Sequence, residues 1–318
     1  MAIAPPFSSL TIDDQIGVGT ASVVYNINDM VAFKCPIQFA NTDIHQSERH
    51  ASFRRRQSEM SVNALENEKE IFTILEKSPH PNIVRCFCIA NEGIFLEHLT
   101  TSLNTYLESG ERVSPSLGAR WLLQLTSAAA WIEKLGFAHG DLRPENILLT
   151  QTLDLKLVDF DCAVTPGGDL LGLAEPYWIN KPDGSLDRAG PKSEQFALAS
   201  CLYFIFNQRE PTIDIVDGQL IFPDLSSTPF APLIRKCWNG GFSSLRKLAF
   251  AALWNVAKAG NICVLFRFLY SNSIGFEKSM TSQGKLGPLR RFCEDYLDEQ
   301  RRNHMASSAA QPINIRRC

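Results

Sequence analysis

The sequence holds no C-x-x-C pair: nine cysteines are scattered over 318 residues, and only Cys86 and Cys88 stand close together. That scatter argues against a structural zinc site and a disulfide framework, and for a reducing compartment. An excess of one charge is also missing, with 31 Lys and Arg against 34 Asp and Glu and a net charge of −3. Nucleic-acid binders usually carry a strong basic excess, so no nucleic-acid partner is expected. Long apolar runs are absent too. The longest largely apolar run, Phe196–Phe206, has 11 residues and is too short to cross a bilayer, so no membrane insertion is expected. Met1–Leu10 has neither a basic residue nor a long apolar run and does not read as a signal peptide. The expectation is a cytoplasmic or nuclear protein. What is present, 45% apolar and 10% aromatic residues, excludes a mostly disordered chain, and the length suits one large domain or two small ones.

Three short strands are expected in residues 10–35, around Ile16-Gly17-Val18, Val23-Val24-Tyr25 and Val31-Ala32-Phe33, with turns at Gly17/Gly19 and Asn28-Asp29. Residues 38–60, with His45, His50 and Arg54-Arg55-Arg56, show no clean period and read as a mobile insertion. A helix is expected over 61–77, stopped by Pro79 and Pro81, followed by strands at 83–89 and 93–96. Apolar residues at 117, 121, 125, 128, 132 and 135 mark another helix. Two short strands, 147–149 and 155–158, bracket a turn, and the pattern beyond 194 is mainly helical. An amphipathic helix over 289–302 is expected to pack on the helical part, and 306–318 reads as a disordered tail. A strand-rich first 100 residues followed by a helix-rich remainder is the layout of two lobes with a cleft, a common place for a small-molecule site.

Four segments carry chemistry. Gly17-Val18-Gly19-Thr20-Ala21-Ser22 lies between two expected strands, where glycines let backbone N–H groups approach a phosphate chain. A plain tight hairpin explains that segment equally well. Lys34 sits inside an apolar strand and needs an anion or carboxylate opposite it, unless it snorkels from an edge. Glu68 on the following helix is a candidate partner, with Glu66 and Glu70 beside it. The sharpest segment is His139-Gly140-Asp141-Leu142-Arg143-Pro144-Glu145-Asn146, with Asp159-Phe160-Asp161 beginning 13 residues after Asn146. The spacing lets Asn146 and Asp159 converge on a divalent cation while Asp141 stays free to orient a hydroxyl. Two unrelated loop caps are the competing reading.

In this order, together with His80-Pro81-Asn82-Ile83-Val84, Glu194–Ser200 and Cys237-Trp238, these segments resemble the eukaryotic protein kinase superfamily over residues 10–250. The likeness is greatest to divergent fungal Ser/Thr protein-kinase-like proteins. It implies an α+β, two-lobed protein-kinase-like fold with a small β-rich N-lobe (about 10–98) and a larger helical C-lobe (about 99–250). Residues 1–9 would then be an N-terminal extension, 251–305 a helical extension and 306–318 the tail. The resemblance also implies ATP and Mg²⁺ as cofactors and a protein substrate of unknown identity. Gly17, Val18, Gly19, Val24, Ala32, Glu97, Leu99 and Leu148 would surround ATP, with 96–99 as the hinge. Lys34 would hold phosphates and pair with Glu68, Asp141 would be the catalytic base, Arg143 a cation for the γ-phosphate, and Asn146 and Asp159 the metal ligands.

Several positions depart from the family pattern. Ser22 stands for the third glycine of the loop, and Asp161 for the glycine after Asp159-Phe160. Gly140 replaces the arginine before the catalytic Asp, which implies independence from activation-loop phosphorylation. Thr165 and Tyr177 are the phosphorylatable residues of 161–182, and Lys181-Pro182-Asp183 is the best match to an Ala-Pro-Glu segment. Glu194 replaces the acid that anchors the catalytic loop. An active protein kinase is the leading reading. The alternatives are a nucleotide-binding pseudokinase scaffold and a small-molecule phosphotransferase.

Overall fold

A computed structural model of the chain describes residues 3–39, 48–178, 187–281 and 283–309. His45 and Lys181-Pro182-Asp183 lie outside the described residues. The described residues among 1–69, 85–98 and 280–318 gather into one compact unit, and those among 70–84 and 99–279 into a second.

The first unit is built on strands β1 (Gln15–Val18), β2 (Ser22–Asn28), β3 (Val31–Pro36), β4 (Cys86–Ile89) and β5 (Ile94–Glu97). They form one antiparallel five-stranded sheet in the order β1-β2-β3-β5-β4. The β2–β3 turn falls where Asn28-Asp29 predicts it, because Asn28 Oδ1 accepts from the N–H groups of Met30 (2.8 Å) and Val31 (3.0 Å). Gly19 N–H donates to the Ser22 carbonyl at 2.8 Å and closes the β1–β2 turn. Val23, Tyr25, Val31, Phe33 and Phe95 form the core of this unit.

Helix α1 (Glu48–Lys77) begins well before residue 61, so residues 48–60 are helix and not the expected mobile insertion. Its first part is largely exposed and therefore carries no apolar stripe to betray a period. Burial begins in earnest at Ser61 and continues through Leu65, Glu68, Ile71, Phe72 and Leu75.

The second unit opens with β6 (Thr101–Ser102), α2 (Leu103–Glu108) and α3 (Pro115–Lys134). Ser114 caps α3 by accepting from Leu117 N–H at 3.2 Å, and Pro115 supplies the fixed φ of a first turn. Strands β7 (Ile147–Leu149) and β8 (Leu155–Leu157) join β6 in a small antiparallel sheet. Helix α4 (Pro191–Asn207) is buried at every residue from Ser193 to Ile205, as its almost continuous apolar sequence requires. A hairpin, β9 (Asp214–Val216) and β10 (Gln219–Ile221), precedes α5 (Ala231–Trp238), α6 (Leu245–Lys258) and α7 (Ile262–Thr281). Ser244 caps α6, which lays Leu245, Leu248, Ala252 and Val256 inward and packs on α3. The helix runs through residue 250, where the sequence suggests a domain edge.

The final helix, α8 (Gln283–Ala309), belongs to the first unit and packs on β4, not on the helical part as expected. Cys293 and Leu297 are fully buried in the sheet's core, and the Tyr296 ring meets Phe7 and Phe95 edge-on. Arg290 Nε donates to the Phe87 carbonyl (3.0 Å), and Arg301 grips Glu92 through two hydrogen bonds of 2.8 and 2.9 Å. The sequence displays the apolar face but not the surface that face seeks. Ala306–Ala309, expected in the disordered tail, are helical, and 310–318 lie outside the described residues.

Candidate active site

In the first unit, β3 places Lys34 between Val24 of β2 and Ile94 of β5. Lys34 is 4% exposed, and its Nζ lies 2.5 Å from Glu68 Oε2, whose side chain is fully buried. The choice among three acids is thereby settled, because Glu66 instead bonds Lys69 at 2.7 Å. Gly17 and Gly19 do not owe their identity to the local fold. Neither has a positive φ, and a Cβ at each would come no closer than 3.6 Å to another atom. A side chain there would be tolerated by the protein itself. Val18 is exposed, Val24 half-buried and Ala32 buried. At the expected hinge, Glu97 N–H donates to the Arg85 carbonyl (2.9 Å) and His98 N–H to the Met30 carbonyl (3.0 Å). Neither donor is free to meet an adenine edge.

In the second unit, the loop ahead of β7 and the turn after β8 are stitched together. Val158 N–H donates to the Asn146 carbonyl at 3.0 Å, and the His139 Nε2 edge lies 3.0 Å from the Val158 carbonyl. Asn146 Nδ2 donates to both the Asp141 carbonyl (2.9 Å) and Asp141 Oδ2 (2.7 Å). With Nδ2 so engaged, Oδ1 is the Asn146 atom able to meet a cation. Arg143 Nε lies 3.3 Å from Asp141 Oδ2 and 3.9 Å from Glu145 Oε2. Asp159 has φ +67°, a left-handed conformation that a non-glycine residue holds only when its surroundings enforce it. The enforcement is visible next door: Phe160 is fully buried between the rings of Phe72 (5.6 Å) and His139 (5.0 Å). Leu148 is half-buried in β7, and Leu99 lies just ahead of β6.

The departures from the family pattern have structural reasons. Gly140 has φ +79°, and a Cβ on it would come within 2.3 Å of the Cys162 carbonyl, so no side chain fits. The loop is anchored instead by Glu194, which accepts from His139 N–H (3.0 Å) and Gly140 N–H (3.2 Å). Burial raises the Glu194 pKa, opposed by His139 and by those two donors. The Cys162 thiol is pushed far up, by burial first and by Asp161 and Asp141 second, which makes it inert. Tyr177 is 7% exposed and donates to Glu210 Oε1 at 2.8 Å, so it is a structural residue rather than a phosphorylation site.

Sequence reasoning missed Gly172. A Cβ there would stand 2.5 Å from Asp141 Cβ and 2.6 Å from Oδ1, so only glycine leaves room for that carboxylate. Its signal was an isolated glycine in an irregular segment, which does not name its neighbour. Among the described residues no group of three or more His, Cys, Asp or Glu could hold a metal. An amide oxygen and a carboxylate, the donor types of Asn146 and Asp159, suit Mg²⁺, which favours few protein ligands beside phosphate and water oxygens.

The β-sheet unit thus holds a buried Lys–Glu pair, and the helical unit a tethered Asp–Asn loop. The chain belongs to the protein kinase domain family, whose model matches residues 10–169. Membership implies use of ATP and, typically, Mg²⁺. The chain is similar to serine/threonine-protein kinase kin-29 of Caenorhabditis briggsae, at 30% identity over 105 residues, 30% of this chain and 12% of that protein. It is 31% identical to the maternal embryonic leucine zipper kinase of Xenopus laevis over 106 residues, 33% of this chain and 13% of the other. It is 33% identical to the MAP kinase kinase kinase SSK2 of Saccharomyces cerevisiae over 121 residues, 36% of this chain and 8% of the other. The matches thus span between 8% and 13% of the length of these relatives. No described helix is long and apolar enough to cross a membrane.

Proposed function

We propose that the chain transfers a phosphoryl group from ATP to Ser or Thr hydroxyls of a protein substrate. The observation that carries this reading is the buried Lys34–Glu68 pair. An ion pair in so dry a place adds little stability over a packed apolar pair. Its value is an ammonium held rigidly for an anionic ligand.

ATP with Mg²⁺, held by Asn146 Oδ1 and the Asp159 carboxylate, supplies the phosphoryl group. Lys34 fixes nucleotide phosphates, and the bare backbone at Gly17 and Gly19 donates N–H groups to them. With the Glu97 and His98 N–H groups occupied, Leu99 N–H is the hinge donor left for an adenine edge. Asp141 Oδ2 is fixed by Asn146 and Arg143, so Oδ1 orients the substrate hydroxyl and takes its proton. Arg143 offsets negative charge on the transferring group. The names of the relatives favour Ser/Thr over Tyr acceptors.

The test is incubation of the protein with labelled ATP, Mg²⁺ and generic protein substrates, beside Asp141→Asn and Lys34→Met controls. Label on Ser or Thr well above both controls is the expected result. Nucleotide binding with transfer no greater than the controls would sink the enzyme reading in favour of a nucleotide-binding scaffold. Label on tyrosine would overturn the acceptor assignment.

A further inference from the structure

Helix α6 is apolar on two faces. One face, Leu245, Leu248, Ala252 and Val256, is buried against the rest of its unit. The other leaves Phe250 67% and Trp254 66% exposed. Along that outer face Lys247, Phe250, Trp254 and Lys258 follow at i, i+3, i+7 and i+11, so the two aromatic rings are bracketed by exposed cations. After a turn at Ala259–Asn261, α7 opens with Ile262, Phe266 and Leu269, exposed at 56%, 69% and 48%. An aromatic side chain offers roughly 150–250 Å², so Phe250, Trp254 and Phe266 together leave about 300 Å² or more of ring surface in water. Exposed apolar surface of a few hundred Å² is the amount that marks an interaction site on a monomer.

Charge says what covers it. Between Asp224 and Glu277 the sequence has no acidic residue, yet it carries Arg235, Lys236, Arg246, Lys247, Lys258 and Arg267. In a chain whose net charge is −3, the segment that exposes its aromatics thus carries six cations and not a single carboxylate. Glu133 from α3 approaches the α6 N-terminus, but it is spent accepting from the Leu245 and Arg246 N–H groups at 2.8 and 3.1 Å. Two copies meeting through this face would set cation against cation, which disfavours a symmetric dimer. Rings that enter the headgroup layer, with Lys side chains reaching phosphates around them, match the chemistry of an anionic bilayer surface.

We propose that the outer face of α6 and the start of α7 form a docking surface for anionic membranes, with Phe250, Trp254 and Phe266 entering the headgroup region and Lys247 and Lys258 pairing with lipid phosphates and carboxylates. This is peripheral attachment and is independent of catalysis. The experiment is co-sedimentation of the full chain with vesicles of phosphatidylcholine alone and of phosphatidylcholine with phosphatidylserine. Sedimentation with the phosphatidylserine vesicles alone, weakened by added salt, is expected. Each cation near an anionic bilayer contributes about fivefold to partitioning, so Lys247→Gln with Lys258→Gln is expected to weaken binding about thirtyfold. Phe250→Ala with Trp254→Ala is expected to weaken it by a comparable factor. All four side chains are exposed, so the variants keep the parent's thermal unfolding. Absence of binding to either vesicle overturns the proposal, as does equal binding to both. A dimer in sedimentation velocity that Phe250→Ala with Trp254→Ala converts to monomer also overturns it, by assigning the face to a second copy.

Discussion

Leu297 of α8 is 4% exposed and sits with Cys293 in the core of the β-sheet unit, more than 260 residues along the chain from β3. Its replacement by alanine removes three buried carbon atoms from a site ringed by sheet residues that cannot collapse inward. Leu→Ala changes in such places cost about 2–5 kcal/mol, of which about 2 is transfer and the rest cavity. A loss near 3 kcal/mol is a large share of a typical domain's stability. It is readable at one atom, because Cys293 Sγ is fully buried and its pKa is pushed up to about 12, chiefly by burial. A thiol reagent reaches Cys293 only when α8 lifts from the sheet. If lifting is the step weakened, a 3 kcal/mol loss raises the labelling rate at Cys293 by about 150-fold. The assay is timed alkylation with peptide mapping, beside a denaturant midpoint, in the parent, Leu297→Ala and the exposed control Arg302→Ala. A midpoint loss under about 1 kcal/mol with unchanged Cys293 labelling would refute the assignment of α8 to the core.

Two further outcomes follow from buried charge. Glu68→Gln takes the carboxylate charge away from the Lys34 ammonium and is expected to cost about 3–5 kcal/mol, whereas Lys34→Met combined with Glu68→Leu recovers most of that stability and none of the nucleotide affinity. Denaturation and nucleotide titration of the two variants check this, and a double variant that binds ATP normally contradicts it. His80 is the acid-sensitive group. Its Nδ1 accepts from Asn82 N–H (3.1 Å) and its other ring nitrogen meets Ser127 Oγ (3.1 Å), a pattern open only to the neutral ring. Burial first, and Lys156 second, lower its pKa to about 3 from an ordinary 6.5. The unfolded chain therefore binds the extra proton, so this stability is complete above pH 6.5 and is lost as pH falls from there toward 3. With partial solvent access of the ring allowed for, the loss is about 1–2 kcal/mol at pH 5. His80→Gln should flatten the stability profile between pH 7 and 5, and an unchanged slope would contradict the reasoning.

The strands of the sheet unit were legible because their signals are local: Val23-Val24-Tyr25 and Val31-Ala32-Phe33 flanking an Asn28 turn become β2 and β3. The same holds for α3, whose apolar spacing from 117 to 135 is written in one stretch, while its start at Ser114-Pro115 was not read. Lys34 was readable as a cation needing a partner, since an apolar strand cannot leave it unpaired. The first part of α1 was not legible, because a helix exposed on most sides has no period to detect. The destination of α8 was not legible either. The pattern at Leu289, Cys293 and Leu297 says that a face is apolar, while the sheet that receives it is assembled from residues about 200 or more positions earlier. Gly140 and Glu194 looked like erosion of a motif. A carbonyl 2.3 Å from any Cβ leaves no room for a side chain at Gly140, and two N–H groups donated to one carboxylate make Glu194 an anchor of the loop.

The sheet unit draws on three separate stretches, with Phe7 near one end of the chain and Leu297 near the other in a single core. Synthesis at roughly 5–20 residues per second puts on the order of 15–60 seconds between the appearance of those two side chains. During that interval β1 to β5 are made but their core lacks the side chains that close it. The helical unit has no such wait, since its stretches, 70–84 and 99–279, are complete before α8 emerges. The residues of the helical unit are thus all made before the α8 side chains that complete the core of the sheet unit.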